Sequence, residues 1–173
     1  LITNWNPSAI SSLKLWLDAK DAATIEHNSN KISTWIDKSV NTNNATQSLS
    51  DKQPQLGNQK VIFDGLNDIL ELPTLGLSEK ATVVFLFTPM NDGGYSVIGS
   101  STQNDHWDRY GSNGLTYVNH FTQLRINNLA LNMPTSGDQI LAYVGDSLSP
   151  SYEVRLNGFS VYKIFNSFSF IDN

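Results

Sequence analysis

An all-β domain is the fold class that the sequence predicts, on three observations. Apolar residues fall in short runs at strand period, as where Leu13, Leu15 and Leu17 alternate with Lys14, Trp16 and Asp18. The runs are separated by residues that favour turns, including Asp64-Gly65, Asn91-Asp92-Gly93-Gly94 and Asn157-Gly158. No stretch carries the period of a long amphipathic helix. About ten short strands at turn-punctuated intervals indicate a sandwich or barrel.

Along the chain, Asn6-Pro7-Ser8-Ala9-Ile10 can open one helical turn, with proline near the first helical position. Leu13–Leu17 reads as the first strand and Lys31–Ile36 as the second. The Asn/Thr/Ser-rich stretch Ser39–Ser50 reads as a loop, and Lys60–Phe63 as a strand closed by Asp64-Gly65. Ala81–Phe87 is β-branched and aromatic at nearly every position, which predicts a central strand covered on both sides. Tyr95–Ile98, Leu115–Val118, Leu124–Ile126, Ala130–Leu131 and Ile140–Val144 follow as short strands. Tyr152–Leu156 alternates and ends at Asn157-Gly158, the strongest hairpin signal, with Phe159–Phe165 as the return strand.

Composition narrows the function classes. The 173 residues suit one domain able to bury a core, and 39% hydrophobic content is a globular value. A net charge of −5 at pH 7 gives phosphate backbones little to bind, so nucleic acid is not an expected partner. No cysteine is present, which excludes disulfides, thiolate zinc ligation and a cysteine nucleophile. The longest apolar run, Ala81–Phe87, is too short to span a bilayer, so membrane insertion is not expected either. The chain opens on Leu1 rather than Met, as a processed form or a fragment would.

The first 70 residues carry a more specific succession. Leu15-Trp16-Leu17-Asp18-Ala19-Lys20-Asp21-Ala22 is followed by Ile32-Ser33-Thr34-Trp35-Ile36-Asp37-Lys38-Ser39 and Asn43-Asn44-Ala45-Thr46-Gln47. Gln53-Pro54 and Phe63-Asp64-Gly65-Leu66-Asn67-Asp68-Ile69-Leu70 come next. This order resembles the concanavalin A-like lectin/glucanase superfamily, in its laminin-G-like bacterial and phage branch. The resemblance implies a two-sheet antiparallel β-sandwich of jelly-roll type with little helix. It spans roughly residues 13 to 165, closely at the N-terminal end and loosely after Phe87. The expected organisation is therefore one sandwich domain over residues 1–165. A tail of residues 166–173 follows, in which Phe168-Ser169-Phe170-Ile171 either closes a sheet or makes an assembly contact. The motifs also have plain structural meanings. Trp16 and Trp35 are apolar anchors whose indole N–H needs a partner. Asp64 can cap its own turn, and Asp37-Lys38-Ser39 reads as an Asx turn.

The glucanases of this superfamily carry a Glu-x-Asp-x-x-Glu strand, because retaining hydrolysis needs two carboxylates about 5–5.5 Å apart. Here Glu26, Glu71, Glu79 and Glu153 are scattered, and no such motif exists. A catalytic role is not expected, and no catalytic residue is assigned. His27, His106 and His120 lack zinc-ligand spacing. Some relatives bind calcium. The candidate ligands here are Asp18 with Asp21, Asp64 with Asp68, and the Asn91-Asp92 turn, but no run forms a complete calcium loop, so neither metal nor cofactor is assigned.

The densest recognition chemistry lies in Asn104, Asp105, Trp107, Asp108, Arg109 and Tyr110. Trp107 and Tyr110 offer flat faces to a sugar ring, and the polar neighbours can bond hydroxyls, the mixture a sugar site requires. The expected function is a non-catalytic recognition or adhesion module, glycan-binding, on an extracellular or virion surface within a larger assembly. Its partners would be a glycan or cell-surface ligand and the other subunits of that assembly. The alternative is a decoration, fibre or capsid-associated protein of a phage-like particle with no ligand of its own.

Overall fold

The computed structural model describes residues 6–76, 81–88, 109–111, 115–117, 131–132, 137–146 and 151–165. These residues form antiparallel β-sheets joined by short turns, and the only helical pieces among them are three 3-10 turns. The chain divides into two compact units, Leu1–Gly76 and Leu77–Asn173.

In the first unit, β1 (Ile25–Asn28), β2 (Lys31–Trp35), β3 (Ala45–Thr46), β4 (Gln55–Gly57) and β5 (Lys60–Ile62) make one sheet. β2 is its centre. It pairs with β1 along one edge, and with β3 and β4 at opposite ends of the other. Ile32, the second residue of β2, is fully buried, and Ile25 and Ala45 are buried as well. The helical turn expected near the start is present as Pro7–Ala9. Asn6 caps it, its Oδ1 accepting the Ser8 N–H at 2.9 Å.

Two connections in this sheet are two-residue hairpins of type I′, which require positive φ at both central residues. Ser29 (φ 50°) and Asn30 (φ 66°) join β1 to β2, and Asn58 (φ 52°) and Gln59 (φ 58°) join β4 to β5. β1 and β4 carry no strand pattern in the sequence, and β3 lies inside the Asn/Thr/Ser-rich stretch Ser39–Ser50. Conversely, Leu13–Leu17 has strand period but enters no ladder among the described residues. Side chains of the segment after β2 occupy its backbone groups instead.

In the second unit, β6 (Thr82–Phe87) precedes a hairpin-type pair, β7 (Arg109–Gly111) and β8 (Leu115–Tyr117), extended by β9 (Leu131–Asn132). β10 (Gln139–Asp146), β11 (Ser151–Leu156) and β12 (Phe159–Phe165) complete it. β6 joins the last three in a four-stranded antiparallel sheet of order β12-β11-β10-β6. The hairpin at Asn157-Gly158 is formed as the sequence predicts, with φ of 49° and 86°.

Register fixes the faces of this sheet. Leu86 lies opposite Ile140 and Val84 opposite Ala142, which lies in turn opposite Arg155. Thr82, Val84, Leu86, Ile140, Ala142, Val144, Glu153 and Arg155 therefore share one face, because opposed residues project to the same side. Val83, Phe85 and Phe87 occupy the other face and are partly buried, and Gln139, opposite Phe87, is nearly fully buried on that face. Full cover on both sides was expected for β6, but Val84 is 60% exposed and Leu86 65%. Among the described residues β6 pairs with β10. Tyr95–Ile98, Leu124–Ile126, Asn91-Asp92 and the tail from 166 to 173 lie outside the described residues.

Candidate functional site

Of the six residues assigned to recognition, Asn104, Asp105, Trp107 and Asp108 lie outside the described residues. Arg109 and Tyr110 open β7, where Arg109 pairs with Tyr117 and Tyr110 with Thr116. The aromatic-polar run thus leads directly into an antiparallel pair. His106 and His120 also lie outside the described residues, and His27 is an exposed position of β1.

The best-defined polar constellation is in the first unit, around Asp37. The residue is 4% exposed. Oδ1 accepts the N–H groups of Trp16 (2.9 Å) and Ser39 (2.8 Å). Oδ2 accepts the Ser39 hydroxyl (2.6 Å) and the Asn43 N–H (2.9 Å). An ionised carboxylate has about four acceptor positions, and all are used. The Asp37 N–H donates to Asn44 Oδ1 at 2.9 Å, and the Lys38 N–H to the Trp16 carbonyl at 2.9 Å. Asn41 and Asn43 then reach back, their amides donating to the carbonyls of Leu13 (2.6 Å) and Lys14 (2.9 Å). The segment with strand period is therefore held by side chains that imitate a neighbouring strand.

Burial raises the Asp37 pKa. The Ser39 hydroxyl and the N–H groups of Trp16, Ser39 and Asn43 outweigh that effect and hold the carboxyl below its ordinary value. A carboxylate so held, with no acceptor position left, is neither a proton acceptor for catalysis nor a metal ligand.

Asp18 and Asp21, the first candidate calcium pair, converge on the ammonium of Lys38, at 3.1 and 2.7 Å. The same ammonium stands 4.3 Å from the centroid of the Trp16 ring, a cation–π contact. The Lys38 hydrogen bond is the largest influence on Asp21 and lowers its pKa, and Asp21 in turn raises that of Lys38. A lysine thus occupies the position between these carboxylates that a cation would take.

The second pair closes a turn. Asp64 Oδ1 accepts the N–H groups of Leu66 (2.8 Å), Asn67 (3.2 Å) and Asp68 (3.3 Å), while Asp68 Oδ2 accepts the Asp64 N–H at 2.9 Å. The Leu66 N–H is the main cause of the lowered Asp64 pKa. Gly65 supplies the positive φ of 73° that the turn needs. Among the described residues, no three His, Cys, Asp or Glu side chains cluster as a metal centre. The Asn44-Ala45-Thr46 triplet, a glycosylation sequon in form, is engaged in the fold: Asn44 holds the Asp37 N–H and Ala45 is buried in β3. The indole N–H of Trp35 is buried without a hydrogen-bond partner among the described residues, contrary to the expectation that it finds one.

Several residues here were legible only as turn formers, and sequence offers no signal that Asn41 and Asn43 would reach back to Leu13 and Lys14. The Asp37 centre has a measurable consequence. Its depressed pKa contributes stability that is complete above the unfolded-state value of about 3.9 and lost as pH falls through the folded value. Asp37→Ala should cost about 2–4 kcal/mol near neutral pH, the scale of several part-buried donors left unpaired. Asp37→Asn should also flatten the acid limb of the stability curve, since an amide does not titrate there, and should cost stability at neutral pH, since its NH2 turns a donor toward N–H groups. Urea unfolding followed by tryptophan fluorescence at several pH values measures both. The chain matches no family model, no curated protein and no solved structure, so its functional reading stands on the residues and geometry above.

Proposed function

We propose that this chain is a non-catalytic recognition or adhesion module of the two-sheet jelly-roll type, glycan-binding and displayed on an extracellular or virion surface within a larger assembly. One observation carries the reading. The polar motifs of the first unit that could have served chemistry are consumed by the fold: Asp37 by four donors, and Asp18 and Asp21 by Lys38. That leaves Asn104–Tyr110, with its aromatic faces and hydroxyl-bonding neighbours, as the richest recognition segment in the sequence. The scattered glutamates agree with a binding rather than a hydrolytic role: Glu26 lies opposite Thr34, Glu71 opposite Thr46, and Glu153 is ion-paired to Arg155 at 3.1 Å.

A glycan array probed with the whole chain tests the proposal. Binding should be seen for at least one glycan class, and Trp107→Ala should weaken it by more than about tenfold, a loss of about 1.4 kcal/mol or more. An array without signal, or a Trp107→Ala chain that binds as well as the parent, rejects the reading.

A second reading, a structural subunit of a phage-like particle, is favoured by a specific observation. Val84, Leu86 and Ile140 stand side by side on one sheet face, and all three are more than 40% exposed. Contiguous exposed apolar surface commonly marks a contact with another protein. A neighbouring subunit of the same assembly would cover it. Sedimentation should then show a concentration-dependent oligomer that Leu86→Lys disperses, whereas a monomer at all concentrations counts against this role.

A further inference from the structure

The tip of the β11–β12 hairpin is tied to the start of β10 through one side chain. The Asn157 N–H donates to the Ile140 carbonyl at 2.8 Å. The Ile140 N–H donates to Asn157 Oδ1 at 2.9 Å, and Asn157 Nδ2 donates to Gln139 Oε1 at 3.0 Å. The main-chain register between β10 and β11 ends at Leu141 opposite Leu156. The carboxamide of Asn157 therefore supplies the next rung, standing in for a main-chain carbonyl that the turn has carried away.

The same atoms form a reactive arrangement. Gly158 follows Asn157, is exposed, and has open space where a side chain would project. As the second residue of a two-residue turn, it lies outside the ladder, whose last pair is Leu156 with Phe159. Its nitrogen is thus the nucleophile of a five-membered ring closure onto Asn157 Cγ, with the proximity advantage of an intramolecular reaction. The Ile140 N–H points at Oδ1, where negative charge develops as the tetrahedral intermediate forms, and such a fixed donor lowers the barrier.

We infer that Asn157-Gly158 is a site of spontaneous backbone modification in the folded protein, and that the modification unlatches the hairpin from β10. In the first step the Gly158 nitrogen loses its proton and bonds to Asn157 Cγ. The Cγ–Nδ2 bond breaks, and Nδ2 leaves as ammonia after taking up that proton through solvent. Water then opens the cyclic imide. Attack at Cγ gives aspartate, and attack at the main-chain carbonyl gives isoaspartate, whose backbone runs through Cβ. Either product lacks the N–H that Gln139 Oε1 accepts. Isoaspartate also lengthens a turn whose geometry depends on two residues with positive φ.

The test uses the whole chain, aged in mildly alkaline buffer in its folded state and, in parallel, unfolded in urea. Trypsin releases residues 156–163 as one peptide, separate from the peptide holding the other Asn-Gly pair, Asn113-Gly114. In the folded sample the 156–163 peptide should gain the mass of an amide-to-carboxylate exchange and resolve into aspartate and isoaspartate forms. The Asn157→Gln chain should not gain it there. The Ile140 amide of the modified protein should exchange with solvent faster than that of the parent. A 156–163 peptide that stays intact in the folded chain while converting in urea would overturn the inference, since the latch would then protect the site. Unchanged exchange at Ile140 after conversion would overturn the unlatching.

Discussion

The carboxylate of Asp37 joins three stretches of chain that have no ladder in common. Its oxygens bind the backbone at Trp16, the turn at Ser39 and the loop at Asn43, with almost no exposure to water. A buried charge survives only when its acceptor positions are filled, and here the backbone of the segments it organises fills them. Once Asp37 is fixed, Asn41 and Asn43 are placed to bond the carbonyls of Leu13 and Lys14, and Lys38 is placed between Asp18 and Asp21 over Trp16. Thr42, a β-branched residue, adopts a φ of 57° in this loop, a conformation held only where the surroundings determine it.

The second unit meets the same requirement with a different side chain. Where β10 outruns the main chain of β11, Asn157 supplies acceptor and donor to its start. In both units an amide or carboxylate on a turn completes backbone hydrogen bonding that no strand supplies among the described residues. Buried or part-buried backbone groups must be paired, and the abundant asparagine of this sequence is one means of pairing them.

This explains what was readable in the sequence. Strands with apolar or alternating side chains, such as Lys31–Trp35, Thr82–Phe87 and Phe159–Phe165, announce themselves, and so does the turn at Asn157-Gly158. β1 escaped notice because Glu26, His27 and Asn28 are all exposed, leaving Ile25 as its one buried residue. The Ser29-Asn30 and Asn58-Gln59 turns contain no glycine, so a single asparagine in each was the one sequence marker of their positive φ. Leu13–Leu17 misled in the opposite direction: alternation reports a half-buried extended segment, not the presence of a neighbouring strand. The architecture at Asp37 and Asp64 was legible as turn chemistry, because an Asx turn is local in sequence. The reach of Asn41 and Asn43 to Leu13 and Lys14 is not local, and only the three-dimensional structure reveals it. Of the segment proposed for recognition, the structure describes only the backbone course of its last two residues, Arg109 and Tyr110.

The polar motifs of the first unit are engaged in its architecture, with Asp37 at their centre. Recording the amide resonances of Trp16, Ser39 and Asn43 through an acid titration tests this most directly. If one carboxylate organises all three, their shifts move together with a single midpoint below the ordinary aspartate range of about 3.9. Separate midpoints, or a common one within that range, would contradict the central place given to Asp37.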